Sequence, residues 1–110
     1  MRELNVVGVR VELPSNQPIV LLREAEGDRY LPIWIGAVEA TAIAYEQQGV
    51  KPARPLTHDL LRDILAALKA PLKAVEILEL KDNVFYADLL IGDVRVSARP
   101  SDSIALALRV

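Results

Sequence analysis

The stretch Leu31–Tyr45, LPIWIGAVEATAIAY, limits the possible folds more than any other because it changes period without a loop. Leu31, Ile33 and Ile35 fall on one face, with Tyr30, Pro32 and Trp34 on the other. This is the two-residue period of a strand. Gly36 breaks the extended run, and Ala37–Tyr45 is dense in small residues that suit a helix. Glu39 then falls in the first turn, where the helix dipole favours a carboxylate. Glu46 returns to the same narrow polar strip two turns later, and the rest of the helix is mostly Ala, Val, Ile and Thr. Nearly all of its surface is therefore expected to be buried.

The same plan closes the chain. Val94–Ala98 alternates as a short strand, Arg99-Pro100 interrupts it, and Ser101 is placed to cap a helix running through Asp102 to Arg109. Asp102 and Arg109 repeat the seven-residue spacing of Glu39 and Glu46, and Gly27-Asp28 and Gly92-Asp93 precede the two junctions as turn signals. Pattern and spacing, with little identity, thus predict an internal duplication.

Between these units the reading is continuous. Leu4 to Leu13 forms a strand with Val7, Val9, Val11 and Leu13 on one face, followed by a turn over Pro14, Ser15, Asn16, Gln17 and Pro18. Strands follow over Ile19 to Ala25 and Arg29 to Ile35, and Pro32 places the latter at an edge or bulge because it lacks a ladder donor. The first helix stops at Gly49, suited to a left-handed end, and Lys51–Pro55 makes a stiff connector. Thr57 is expected to cap a second helix, with Asp59 in its first turn, an apolar stripe of Leu60, Leu61, Ile64, Leu65 and Leu68, and Pro71 at its end. Strands over Leu72 to Leu80, Val84 to Ile91 and Val94 to Ala98 complete the order, with turns at Lys81-Asp82-Asn83 and Gly92-Asp93. The expected fold is α+β, a duplicated β-β-β-α(α) unit forming a mixed or antiparallel barrel-like sheet with packed helices. Residues 1–110 make one domain without an internal boundary.

Composition narrows the function classes. The chain has no cysteine, which excludes disulfides, thiolate metal sites and a cysteine nucleophile. Charges or prolines interrupt every apolar run before it reaches membrane-spanning length, and no signal-peptide pattern opens the chain, so the expected location is cytoplasmic. A net charge of −2 argues against strong non-specific attraction to nucleic acid while leaving room for a local basic groove. The apolar share of 52% is high for so short a chain and implies surface shared with another subunit. The face bearing Tyr30, Pro32 and Trp34 is the expected contact, giving a homodimer or higher homo-oligomer.

Four segments carry a resemblance that spans nearly the whole chain: NQPIVLLREAEGDRYLPIWIG at Asn16–Gly36, RPLTHDLL at Arg54–Leu61, FYADL at Phe85–Leu89 and RPSDSIALALR at Arg99–Arg109. In this order they resemble the bifunctional nuclease domain family. The resemblance implies an α+β fold with a repeated strand-and-helix unit, self-association, and a nuclease activity on RNA and DNA. Members of that family usually continue past the segment matching Ile104–Val110, so the domain is expected to be shortened at its C-terminus.

A nuclease without cysteine would use carboxylate-bound Mg²⁺ or Mn²⁺ to activate water. Glu39 and Asp102 occupy equivalent first-turn positions and are the candidate metal ligands and catalytic carboxylates, although helix-dipole complementarity alone would also put acids there. His58 is the sole histidine, and histidine suits proton transfer near neutrality. With Asp59 it makes the remaining candidate catalytic pair, against the simpler reading of two polar residues opening a helix. Arg54 and Arg99, each before a proline in stiff backbone, are the candidate phosphate-binding residues, or surface ion-pair partners. Trp34 could stack on a base, but core or subunit interface is the commoner fate of such a residue. The alternative function is a non-catalytic homo-oligomeric interaction or regulatory domain.

Overall fold

A computed structural model of the chain describes residues 3–12, 15–81 and 84–110. The expected placements of Leu13, Pro14, Asp82 and Asn83 lie outside them. In chain order the elements are β1 (Leu4–Glu12), β2 (Gln17–Glu24), β3 (Tyr30–Trp34), α1 (Ala37–Gln48), α2 (Thr57–Ala67), β4 (Leu72–Lys81), β5 (Val84–Ile91), β6 (Val94–Ala98) and α3 (Pro100–Ala107). The strands form two separate antiparallel meanders, β1-β2-β3 and β4-β5-β6. This corrects the barrel-like expectation, because no closed barrel forms among the described residues. Helices take up the faces instead: α1 packs on β1 and β2, α3 packs on β4 and β5, and the two helices pack on each other.

The core lies where the first sheet meets these helices. Val20, Leu22, Ile33 and Ile35 from the sheet side meet Ala40, Ala42 and Ile43 of α1 and Ile104 and Ala105 of α3. Val20 and Ile43 are wholly buried, so truncating Ile43 to alanine would cost about 2–5 kcal/mol. The β3 alternation holds: Ile33 and Ile35 are buried while Tyr30, Pro32 and Trp34 face out from an edge strand. On β1 the expected face holds only in part: Val9 packs on the core, but a bulge between Val6 and Gly8 takes Val7 out of the ladder and puts Val6 on the core in its place. Val11, on the same side as Val9, is exposed near the end of the strand. One extra residue in a period-two strand inverts the facing of everything beyond it.

Two helices are also less buried than their sequences imply. α1 buries Glu39, Ala40, Ala42 and Ile43 but leaves Val38 76% exposed. The apolar stripe of α2 lies largely in solvent, with Leu60, Leu61, Ile64 and Leu68 exposed. What α2 buries instead is polar: His58 and Asp59. Its C-terminus ends through Lys69 in a left-handed conformation at φ 54°, whereas α1 ends at Gly49 with φ 70°, as expected. No described helix is long and apolar enough to cross a membrane.

Candidate functional site

All three helices begin alike. The residue before each first turn is extended (Gly36, Leu56 and Arg99), and the third helical residue is an acid: Glu39, Asp59 and Asp102. Neither Thr57 nor Ser101 is the cap. Thr57 is the first residue of α2, and Pro100 takes the first position of α3, where a missing N–H costs nothing. An acid at the third position has the freedom to fold back on its own helix start, to reach across to another element, or to do both, and the three differ in the partners they take.

Asp102 and Glu39 reach across. Arg99 donates from Nε to Asp102 Oδ2 at 2.9 Å, and its Nη2 lies 2.8 Å from the same oxygen. That Nη2 is also 2.7 Å from Glu39 Oε1, so one guanidinium joins the first turns of α1 and α3. The other oxygen of Asp102, Oδ1, is 2.9 Å from Nε2 of His58 on α2. A four-residue relay, Glu39–Arg99–Asp102–His58, therefore connects all three helix starts. Glu39 and His58 are buried, and the Arg99 side chain is 68% exposed. Burial alone would push the Asp102 carboxyl up, but hydrogen bonds from His58 and Arg99 and their charges hold it below its ordinary value. The Glu39 carboxylate folds over Gly36, where an added Cβ would lie 2.8 Å from Oε2.

Asp59 also divides its two oxygens between its own helix start and another element, but with different partners. Its Oδ2 accepts the Leu56 N–H at 2.9 Å, closing the helix start, and its Oδ1 accepts from Arg109 Nε at 2.7 Å. Arg109 donates its other two nitrogens to the carbonyls of Ala105 and Ala42, at 2.7 and 2.8 Å. The backbone hydrogen bond from Leu56 is the main reason the Asp59 carboxyl lies below its ordinary value; burial opposes this and Arg109 adds to it. All three guanidinium nitrogens are thus spent on structure, in a side chain only 2% exposed.

Of the sequence-derived candidates, Glu39, His58, Arg99 and Asp102 come together, whereas Asp59 belongs to the buried Arg109 staple. Arg54 is exposed in the connector after α1, and among the described residues no hydrogen bond or ion pair joins it to the relay. As a divalent-metal site the arrangement does not fit, because the Glu39 and Asp102 oxygens that face one another already share Arg99 Nη2. Among the described residues no three His, Asp or Glu side chains converge as ligands. Sequence reasoning did not give Arg109 a partner; its seven-residue spacing from Asp102 was the signal, since consecutive residues of α2 grip both.

The chain matches the bifunctional nuclease domain over residues 20–110. It belongs to that family. Two uncharacterized proteins of Mycobacterium tuberculosis, from strains CDC 1551 / Oshkosh and H37Rv, are each 66% identical over 111 aligned residues. Those alignments cover all of this chain and 68% of each relative.

Proposed function

We propose that this domain hydrolyses phosphodiester bonds in RNA and DNA, as the family's name suggests, and that the Glu39–Arg99–Asp102–His58 relay is its site. The observation that carries the reading is the state of Arg99. Two carboxylates fix Nε and Nη2, while Nη1 has no such partner among the described residues and the side chain is largely in solvent. A guanidinium anchored on one side and open on the other is preorganised to accept a phosphate.

His58 is the proton acceptor in this scheme. Its hydrogen bond assigns the Nε2 proton toward Asp102 and leaves Nδ1 with a lone pair. Water attacks phosphorus, its proton passes to Nδ1 directly or through a second water, and the bond to the leaving sugar oxygen breaks as that oxygen takes a proton from solvent. Arg99 stabilises the charge that builds on the phosphoryl oxygens. Glu39 holds Arg99 in position and does not touch the substrate.

The test is a cleavage assay on highly purified protein with single-stranded RNA and DNA, run with Mg²⁺, Mn²⁺ and EDTA. His58→Ala and Arg99→Ala should each lower the rate by about 10²-fold or more, and EDTA should leave it in place. Activity shared equally by wild type and both variants would assign it to a contaminant and end the proposal.

Self-association is a second reading, favoured by the stripe Leu60, Leu61, Ile64 and Leu68 that α2 leaves in solvent. An aliphatic helix face of this kind suits a homodimer. Leu68→Glu should lower the sedimentation coefficient if it does so.

A further inference from the structure

The outer face of the first sheet differs from the α2 stripe in its chemistry. Register aligns Arg10, Ile19 and Trp34 in one row and Asn5, Arg23 and Tyr30 in another, with Gly8, Leu21 and Pro32 between them. Trp34 is 62% exposed and Tyr30 55%. Arg10 and Arg23 are exposed as well, and neither makes an ion pair among the described residues. The Arg23 guanidinium sits 5.9 Å from the centre of the Tyr30 ring, a preformed cation–π pair. By the two-residue period of the strand, the only acids on this face stand at the ends of β1: Glu12 opposite Gln17, and Glu3, two residues before Asn5, opposite Ala25.

From this we infer that the outer face of β1-β2-β3 is a platform for single-stranded nucleic acid, with Trp34 and Tyr30 stacking on bases and Arg10 and Arg23 meeting phosphates. Two aromatic rings four residues apart on one strand stand roughly 13 Å from each other. Each would therefore stack on a different base, and every base offers a face for that. A second copy of this chain would have to complement the patch with itself, whereas the three central rows of the face hold Arg10 and Arg23 and no acid, a pattern that suits a polyanion better.

The inference deepens the nuclease reading, on which it rests for the identity of the polymer, by giving the strand a place to lie. Trp34 is also two residues from Gly36, over which the Glu39 carboxylate folds.

The test uses a fluorescein-labelled oligothymidine, the same strand in duplex, and the whole chain, with anisotropy and Trp34 fluorescence as readouts. Wild type should bind the single strand with quenching of Trp34, more weakly as salt rises, and the duplex more weakly still. Trp34→Ala should weaken binding about 5- to 150-fold, and Arg10→Ala with Arg23→Ala should weaken it and flatten the salt dependence. All these side chains are exposed, so the variants keep the fold, checked by circular dichroism. His58→Ala should bind like wild type, which separates this inference from the cleavage reading: binding without cleavage defeats only the latter. Equal binding by wild type and Trp34→Ala, a preference for duplex, or loss of a dimer in Trp34→Ala would overturn it.

Discussion

The two ends of α3 carry the same chemistry in opposite surroundings. At its start Arg99 meets Asp102, and just past its end Arg109 meets Asp59. The partners on α2 are consecutive residues, since His58 binds Asp102 while Asp59 binds Arg109. Yet the Arg109 side chain is 2% exposed with every nitrogen occupied, and that of Arg99 is 68% exposed with one nitrogen open. Identical residue types are therefore a staple at one end and a candidate site at the other. Solvent decides which, because an ion pair removed from water must satisfy every donor, whereas one at the surface can leave a donor for a ligand.

The largest effect is expected at the closed end. Arg109→Ala leaves Asp59 buried without its charge partner and frees two carbonyls on α1 and α3. The loss should be about 3–5 kcal/mol in urea unfolding. A change below 1 kcal/mol would mean the two ends do not differ in the way described.

Acid separates the ends next. Asp59 and Asp102 both lie below the ordinary aspartate value of 3.8. A depressed carboxyl contributes stability that is complete above its unfolded value and lost as pH falls through the folded one. Unfolding should therefore become easier as pH drops below about 3.8. Asp59→Asn should be less stable than wild type at pH 7 and lose less between pH 4 and pH 2, a window of order one to two units about the ordinary value. If the acid sensitivity of Asp59→Asn matches wild type, the staple is not what protonation breaks.

The sequence made the order of elements legible because strand and helix periods switch at marked places: Gly36, Gly49, Pro71 and Gly92. Pro32 reported its edge strand for the same local reason. That Glu39 and Asp102 each fall in the first turn of a helix was also readable. Long-range facts were not. The β1 bulge reverses Val7 without leaving any residue out of pattern, and the α2 stripe looks like a core stripe whether or not anything covers it. Asp59 and Asp102 look alike as helix-start acids until contacts 50 and 44 residues away tell them apart.

A smaller effect tests how the open end is held. Gly36 has φ −79°, so alanine meets no backbone strain there. Its Cβ would instead displace the Glu39 carboxylate, which loosens the link to Arg99. Gly36→Ala should cost about 1 kcal/mol in stability and lower cleavage more than that cost implies. Unchanged cleavage would remove Glu39 from the positioning of Arg99.

The smallest change in stability should come from Arg99→Lys, and it bears most directly on the comparison. Lysine keeps a positive charge between Glu39 and Asp102 but not the planar fork that now reaches both carboxylates and leaves Nη1 outward. Because this end is exposed and screened by salt, the fold should lose less than about 1 kcal/mol. Arg109→Lys should lose several times more, since one ammonium on a flexible stem does not reproduce three fixed bonds at 2.7, 2.7 and 2.8 Å. Cleavage should follow the reverse order, falling steeply in Arg99→Lys and, where the protein remains folded, little in Arg109→Lys. Paired urea melts and rate measurements on the two variants read both quantities. If both follow the same order, the open end is a second staple and the domain's activity lies elsewhere.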